Sequence, residues 1–381
     1  MESLDELRAI NASFPYNEPI KRWEAKGKKS VASLCIYVPE EIIHAAGMLP
    51  IRLTADSPSL TVEKANVYMA ESTCSFIRAC LERGLEGGFD YLDGIASCTA
   101  CQGYLRLSEV WDYYIPEEPV IYTLDLPRII SERVVDFYKK EILGFKEALE
   151  KRFNIKVTDE AIRKSIKLCN ETRVLLKELY ETRRSDEPPI SGAETMEVTN
   201  AMGRMPREEY NTLLQKLLRE LKGRKAYPPG ERTRAMILGS PMNDAKFIRE
   251  IEALGFSIVV DELCMGGKLA ISGLIDDSPE TDPIDAISNY YIKTQMPCPR
   301  EIPKEIRSDW IAKLAKEYRV EGAISLLMRY CNNAIWSQPF VNKEFEKLGI
   351  PSFTLDMEYN DKFSGQFKTR LEAFLESIAG I

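Results

Sequence analysis

The chain has 381 residues, and 51 basic against 59 acidic side chains give a formal charge of −8; at roughly 100–200 residues per domain, that length predicts two domains. Hydrophobic residues at 44% and charged residues at 29% exclude disorder, collagen-like repeats and a small disulfide scaffold. The acidic balance argues against a nucleic-acid binder, and no stretch approaches the ~20 apolar residues of a membrane span.

Residues 1–30 predict a helical lead-in without the apolar core of a secretory signal, so a cytoplasmic protein is expected. A strand follows at Ala32–Val38, then a helix at Glu40–Ala46, started by Pro39 and its neighbouring acids and ended by Gly47. Leu49–Leu53, Tyr91–Ala96 and Val120–Leu124 are further strands with helical stretches between them. This first α/β domain, 31–230, carries a helical excursion over about 128–226. The excursion contains helices at Val134–Phe153, Asp159–Arg183 and Glu208–Leu221, and another opened by a capping box at Ser191 and Glu194. From Thr233 the alternation returns, with strands at Ala235–Leu238, Ser257–Val260, Ala323–Leu327 and Phe353–Leu355 and a helix at Ala245–Leu254. Residues 231–381 form the second domain. The predicted fold class is α/β: two doubly wound, Rossmann-like parallel-sheet domains with the helical excursion between them.

Two residue types carry the chemistry. The single histidine, His44, excludes His-rich metal sites and makes any triad depend on that residue. Nine cysteines without a secretion signal do not suggest a disulfide framework; they are buried small hydrophobes or ligands of a soft metal centre. In doubly wound sheets, ligands bind beyond the carboxyl ends of the strands. Cys98 and Cys101 follow the Tyr91 strand, Cys264 follows Ile258–Leu263, and Cys331 follows Ala323–Met328. Cys74 and Cys80 precede the Tyr91 strand, and Cys298 is held in Met296-Pro-Cys-Pro299. The C-x5-C pair, the C-x2-C pair, Cys298 and Cys331 make six candidate ligands for an iron–sulfur centre.

Two other readings stay open. A zinc ribbon needs a second C-x2-C pair, and a thioredoxin-like dithiol at Cys98-Thr-Ala-Cys101 leaves four candidates unexplained. Cys35, inside the predicted first strand, and Cys169, in a helix, are predicted core residues, and Cys264 is predicted to pack beside the site. His44 is expected to be a satisfied, partly buried side chain, with proton donation at the site as the alternative. Neither a P-loop nor a G-x-G-x-x-G turn is present, so any ATP must be hydrolysed by a partner.

Cys35-Ile-Tyr-Val-Pro-Glu-Glu-Ile-Ile-His-Ala-Ala-Gly-Met-Leu-Pro-Ile-Arg52 resembles the opening signature of the 2-hydroxyacyl-CoA dehydratase and benzoyl-CoA reductase family. Cys74-Ser-Phe-Ile-Arg78, Tyr91-Leu-Asp-Gly94 with Cys101, and Cys331 ahead of Leu348-Gly-Ile-Pro351 resemble its remaining blocks, from about residue 30 to 360. The resemblance implies two α/β domains with an iron–sulfur cluster at their interface, fed by a separate ATP-hydrolysing activator that carries its own [4Fe-4S] cluster. Cys74, Cys101 and Cys331 match the family's usual ligands.

With Cys80, Cys98 and Cys298 added, the chain is similar to the double-cubane cluster proteins, a branch of that family. Six thiolates then imply an [8Fe-9S] double cubane that reduces small molecules of the acetylene, hydrazine or azide class, in a homodimer. The alternative is a subunit of an acyl-CoA dehydratase or benzoyl-CoA-type reductase, with three cysteines on one [4Fe-4S] cluster and one iron left open for an acyl-CoA oxygen. Tyr37, Glu41 and His44 are the polar candidates for the substrate pocket. Gly47, Gly103 and Gly266-Gly267 are candidates for close backbone approach to a cluster.

Overall fold

The computed structural model describes residues 1–55, 61–117, 119–228, 232–359 and 361–380. The predicted domain boundary at 230–231 lies outside the described residues. Among the described residues, eight strands form two parallel sheets. The first contains β1 (Ser30–Ser33), β2 (Leu49–Arg52), β3 (Gly94–Cys98) and β4 (Val120–Leu124), in the order β2-β1-β3-β4. The second contains β5 (Thr233–Gly239), β6 (Phe256–Asp261), β7 (Gly322–Met328) and β8 (Ser352–Met357), in the order β6-β5-β7-β8. The two halves therefore share one topology, and the expected α/β class with two parallel sheets is the observed one.

The strand composition explains the layering. Residues of β1, β3, β6 and β7 are buried throughout, as expected for parallel strands covered by helices on both faces. The edge strand β8 is less covered, with Ser352 and Asp356 exposed, Phe353 and Thr354 half-buried, and Leu355 and Met357 buried. One continuous apolar cluster includes Val31 and Ile95 of the first sheet and Ile237 and Ile324 of the second, so the halves share a core.

Two predicted strand limits differ from the observed ones in a way that matters for chemistry. β1 ends at Ser33, because the chain curls into a turn in which the Val38 N–H donates to the Cys35 carbonyl at 3.0 Å. Cys35 is thus beyond the carboxyl end of the strand rather than inside it. β3 begins at Gly94, after a turn in which Leu92 N–H reaches the Phe89 carbonyl at 2.9 Å, and it runs on to Cys98.

The excursion is four helices, Glu132–Phe153, Asp159–Thr182, Gly192–Met202 and Arg207–Glu220. The capping box at Ser191 and Glu194 is present, with both reciprocal hydrogen bonds made. Arg183, at the end of the second of these helices, is fully buried and donates to the Ile258 carbonyl of β6 at 2.6 Å, fastening the excursion to the second sheet. Among the described residues no helix is long and apolar enough to cross a membrane.

Gly239, the last residue of β5, has φ +124°, and a Cβ built there would stand 2.2 Å from the Leu326 carbonyl oxygen of β7. A side chain would meet rigid backbone as well as a disfavoured dihedral. Gly239→Ala is expected to destabilise the protein by on the order of 3 kcal/mol. Urea denaturation checks this, and an unchanged midpoint would refute the close approach.

Candidate functional site

A 2-1-3-4 strand order places the topological switch point between the first and third strands, and the crevice beyond their carboxyl ends is where such sheets bind ligands. In the first sheet Cys35 follows β1, Cys98 ends β3 and Cys101 comes next. In the second sheet Ser240 follows β5 and Cys331 follows β7. The two crevices meet. Asn333 Nδ2 and Arg300 Nε both donate to the Ala100 carbonyl at 3.1 Å, and the Tyr359 N–H donates to Ser75 Oγ at 2.8 Å.

Between them is a cavity of about 200 Å³ lined by Cys74, Cys101 and Cys331 together with Gly103, Tyr330 and Trp336. Each of these cysteines immediately precedes a helix: Ser75–Leu85, Gln102–Tyr114 and Asn332–Leu348. The positive ends of three helices therefore point toward three sulfurs, which favours thiolate. Backbone N–H groups of Phe76, of Gly103 and Tyr104, and of Ala334 each oppose protonation of the cysteine that starts their helix.

The Cys74 thiol hydrogen-bonds to Cys331, so this buried pair shares one proton readily and gives up the second with difficulty. That contact, helped by Ser240, draws Cys331 below its ordinary value and pushes Cys74 up. Burial raises Cys101 to about 11. Gly103 allows the close packing here: a Cβ would lie 2.8 Å from Ile77 Cγ1 and 3.6 Å from Cys101 Sγ.

A second thiol group sits beside the first. Cys35 and Cys98 are hydrogen-bonded, with Cys35 drawn down by that bond and Cys98 pushed up chiefly by burial. The Arg52 guanidinium faces Cys35, Cys98 and Cys264, and burial raises Cys264 to about 11. Cys298 is raised further by burial, against the attraction of Lys268, and its backbone N–H donates to Glu301 at 2.7 Å. The buried Arg300 donates to the carbonyls of Ala100, Leu126 and Pro127, tying the Cys298 loop to the segment that carries Cys101.

Of the six predicted ligands, the structure brings Cys74, Cys101 and Cys331 to one cavity and puts Cys98 and Cys298 in the neighbouring group. Cys80 is fully buried within the helix that Cys74 starts and is not among the residues lining that cavity. Cys35 is buried in the shared apolar cluster, as the sequence reading expects, but it follows β1 instead of lying inside it and hydrogen-bonds to Cys98. The signal that could have revealed it is the helix start at Pro39, too close to allow a strand through Val38 followed by a turn. Cys169 is buried in its helix near Glu40 and Glu41, as a core residue.

The three polar candidates do not converge. Tyr37 is buried and bonded to Glu301. Glu41 is buried and held by Arg173 at 2.5 Å and by the Tyr291 hydroxyl at 2.9 Å. His44 pairs with Glu208 at 3.3 Å, and that hydrogen bond holds the Glu208 carboxyl down at about 2. Gly266 and Gly267 approach Asp261 rather than a sulfur, and Gly47 faces open space in a turn with φ +75°.

The chain matches known proteins over most of its length. Residues 35–378 match the profile of the family described as 2-hydroxyglutaryl-CoA dehydratase, D-component. The chain is 23% identical over 360 residues to the (R)-phenyllactyl-CoA dehydratase beta subunit of Clostridium sporogenes, covering 94% of each chain. It is 26% identical over 359 residues to a benzoyl-CoA reductase subunit of Thauera aromatica, covering 92% of this chain and 91% of that one. It is 24% identical to the beta subunit of (R)-2-hydroxyglutaryl-CoA dehydratase of Acidaminococcus fermentans, over 98% of both. With that match covering most of the chain and all three cysteines of the cavity, the chain belongs to the 2-hydroxyglutaryl-CoA dehydratase D-component family.

Proposed function

We propose that this chain is an iron–sulfur subunit of an acyl-CoA dehydratase or benzoyl-CoA-type reductase. The observation that carries the reading is the convergence of Cys74, Cys101 and Cys331 on one cavity, each at the start of a helix. The donor set fits a [4Fe-4S] cluster with one iron left free of cysteine: thiolates are the usual ligands of such a centre, and the helix N-termini offset its negative charge. Cys74, Cys101 and Cys331 would hold it, and it would supply low-potential one-electron reduction at this position.

The remaining work falls to the protein. Arg300 fixes the Cys101 segment from the second half, and Asn333 fixes it from the helix behind Cys331. Tyr330 and Trp336 line the mouth with 49% and 63% of their surface exposed, where a partner delivering electrons would meet the cavity. That partner is the ATP-hydrolysing activator, since this chain carries no phosphate-binding loop of its own.

The second thiol group favours a further reading. Cys35, Cys98, Cys264 and Cys298 next to the first cavity supply enough sulfur for a double cubane, with the small-molecule reduction that goes with it, in a homodimer. The names of the relatives support the acyl-CoA reading over this one. Iron and acid-labile sulfide per chain, measured on protein purified without oxygen, separate the two. About four irons are expected. About eight would move the double cubane to first place, and one zinc without iron would refute both.

A further inference from the structure

Most buried arginines of this chain are balanced by a carboxylate. Arg173 stands by Glu41, Arg183 by Asp261, Arg207 by Glu40, Arg307 by Glu262 and Arg78 by Glu358, all at ion-pair distance. That is the expected arrangement, because a guanidinium is always charged and a buried charge without a partner is strongly destabilising.

Arg300 departs from it. The residue is 1% exposed, and among the described residues its guanidinium meets carbonyls only. Nε donates to the Ala100 carbonyl at 3.1 Å, Nη1 to that of Pro127 at 2.8 Å and Nη2 to that of Leu126. Three carbonyls satisfy the hydrogen bonds of the fork and bring no net charge. Glu301, next in the chain, accepts from the Tyr37 hydroxyl and the Cys298 N–H and is not at ion-pair distance from Arg300. Arg52 is a second case. Its Nε is sealed without a hydrogen-bond partner, and among the described residues no carboxylate pairs with it.

Both side chains border the thiols. The carbonyl that Arg300 Nε engages belongs to the residue before Cys101, and Arg300 follows Cys298 by two residues. Arg52 lines a small inner cavity of about 50 Å³ together with Cys35 and Cys264, and it faces Cys98 and Tyr104. Tyr104 in turn lines the cavity of Cys74, Cys101 and Cys331. Two fixed positive charges therefore surround one sulfur-rich region, and the charge that balances them has to be negative and lodged there.

We infer that Arg300 and Arg52 are the counter-cations of the iron–thiolate centre and stabilise its reduced form, Arg300 through the Cys101 segment and Arg52 from the Cys35 side. The inference rests on the proposed function. Reduction adds one unit of negative charge to a buried centre, and a fixed cation nearby favours that state most where low dielectric leaves the attraction unscreened. Neither side chain has to touch a reacting atom; each acts through its charge.

EPR-monitored redox titration of the full-length protein purified without oxygen, with iron counted in the same samples, tests this. Arg300→Gln keeps amide donors for the carbonyls and removes the charge. Its reduction equilibrium is expected to fall about tenfold, which is ~59 mV more negative for one electron. Arg300→Lys keeps the charge with a different donor geometry and is expected to stay within about threefold of the parent. A role confined to tying the two halves together would lower the melting temperature of both variants and move neither potential. Arg52→Gln removes a charge that has no partner, so it is expected to fold like the parent while its equilibrium falls about threefold. It carries the test alone if Arg300→Gln does not fold. Unmoved potentials in the folded glutamine variants, or an Arg300→Lys potential displaced as far as that of Arg300→Gln, would overturn the inference. Protein without iron would refute the proposed function and the counter-cations together, whereas about four irons with unmoved potentials would refute the counter-cations alone.

Discussion

Cys331→Ala protein purified without oxygen is expected to hold well under about one iron per chain, against about four in the unsubstituted protein, and to lose turnover with an activator. The loss follows from geometry. Cys331 is the thiol that the second half contributes to the cavity, and it is bonded to both Cys74 and Ser240. Removing it leaves two thiols, both from the first half. Cys80→Ala is the matched control, because Cys80 is buried within its helix and does not line the cavity; it is expected to keep its iron. Cys98→Ala is expected to keep about four irons as well. If Cys98→Ala instead lost half of a total near eight, the second thiol group would be a ligand set and the double cubane would stand.

A second large effect is expected at a buried charge triad. Glu262 is fully buried between Lys268 and Arg307, with Arg307 Nε donating to Oε1 at 3.0 Å and Lys268 paired to the same carboxylate. Lys268 also donates to the Pro297 carbonyl at 2.7 Å, so the charge triad anchors the loop that presents Cys298. Glu262→Gln leaves two buried cations without their counter-charge, and a loss of about 3–5 kcal/mol is expected. Replacing all three by apolar residues of similar volume is expected to recover most of that loss, because the desolvation cost disappears along with the attraction. Equilibrium denaturation of the two variants measures both effects. A Glu262→Gln protein as stable as the parent would mean the carboxylate is not balancing those cations.

The same triad sets a pH dependence. Burial alone would raise the Glu262 carboxyl, but Arg307 and Lys268 outweigh it and hold the group below its ordinary value of 4.5. A carboxyl depressed in the folded state contributes stability that is fully present above about 4.5 and is lost as pH falls through the folded value. Acid denaturation of the parent should therefore steepen below about pH 4.5, and that component should be absent from the apolar triple variant.

Much of the fold was legible without coordinates because its signals are local. Helix starts at Ser191, Thr158 and Asp244 come from side chains that accept their own helix's first N–H groups, and all three do so here. Strands such as β4 and β8 lie within or close to their predicted spans. The errors fell at strand ends, where a tight turn or a neighbouring strand sets the limit. β1 stops at Ser33 because the following residues turn back on themselves, and β3 is shifted toward Cys98 by pairing with β1 and β4. The first of these shifts puts Cys35 beyond the end of β1, where it meets Cys98 while staying buried.

By itself the sequence determined two α/β halves, a helical excursion, a set of thiols concentrated after strands, and the family those blocks resemble. Periodicity and capping are encoded within a few residues of one another, so they survive without tertiary information. Which thiols meet was decided only by the tertiary structure. Cys101 and Cys331 are far apart in the chain, and they face one cavity because two sheets of identical strand order dock with their switch points together.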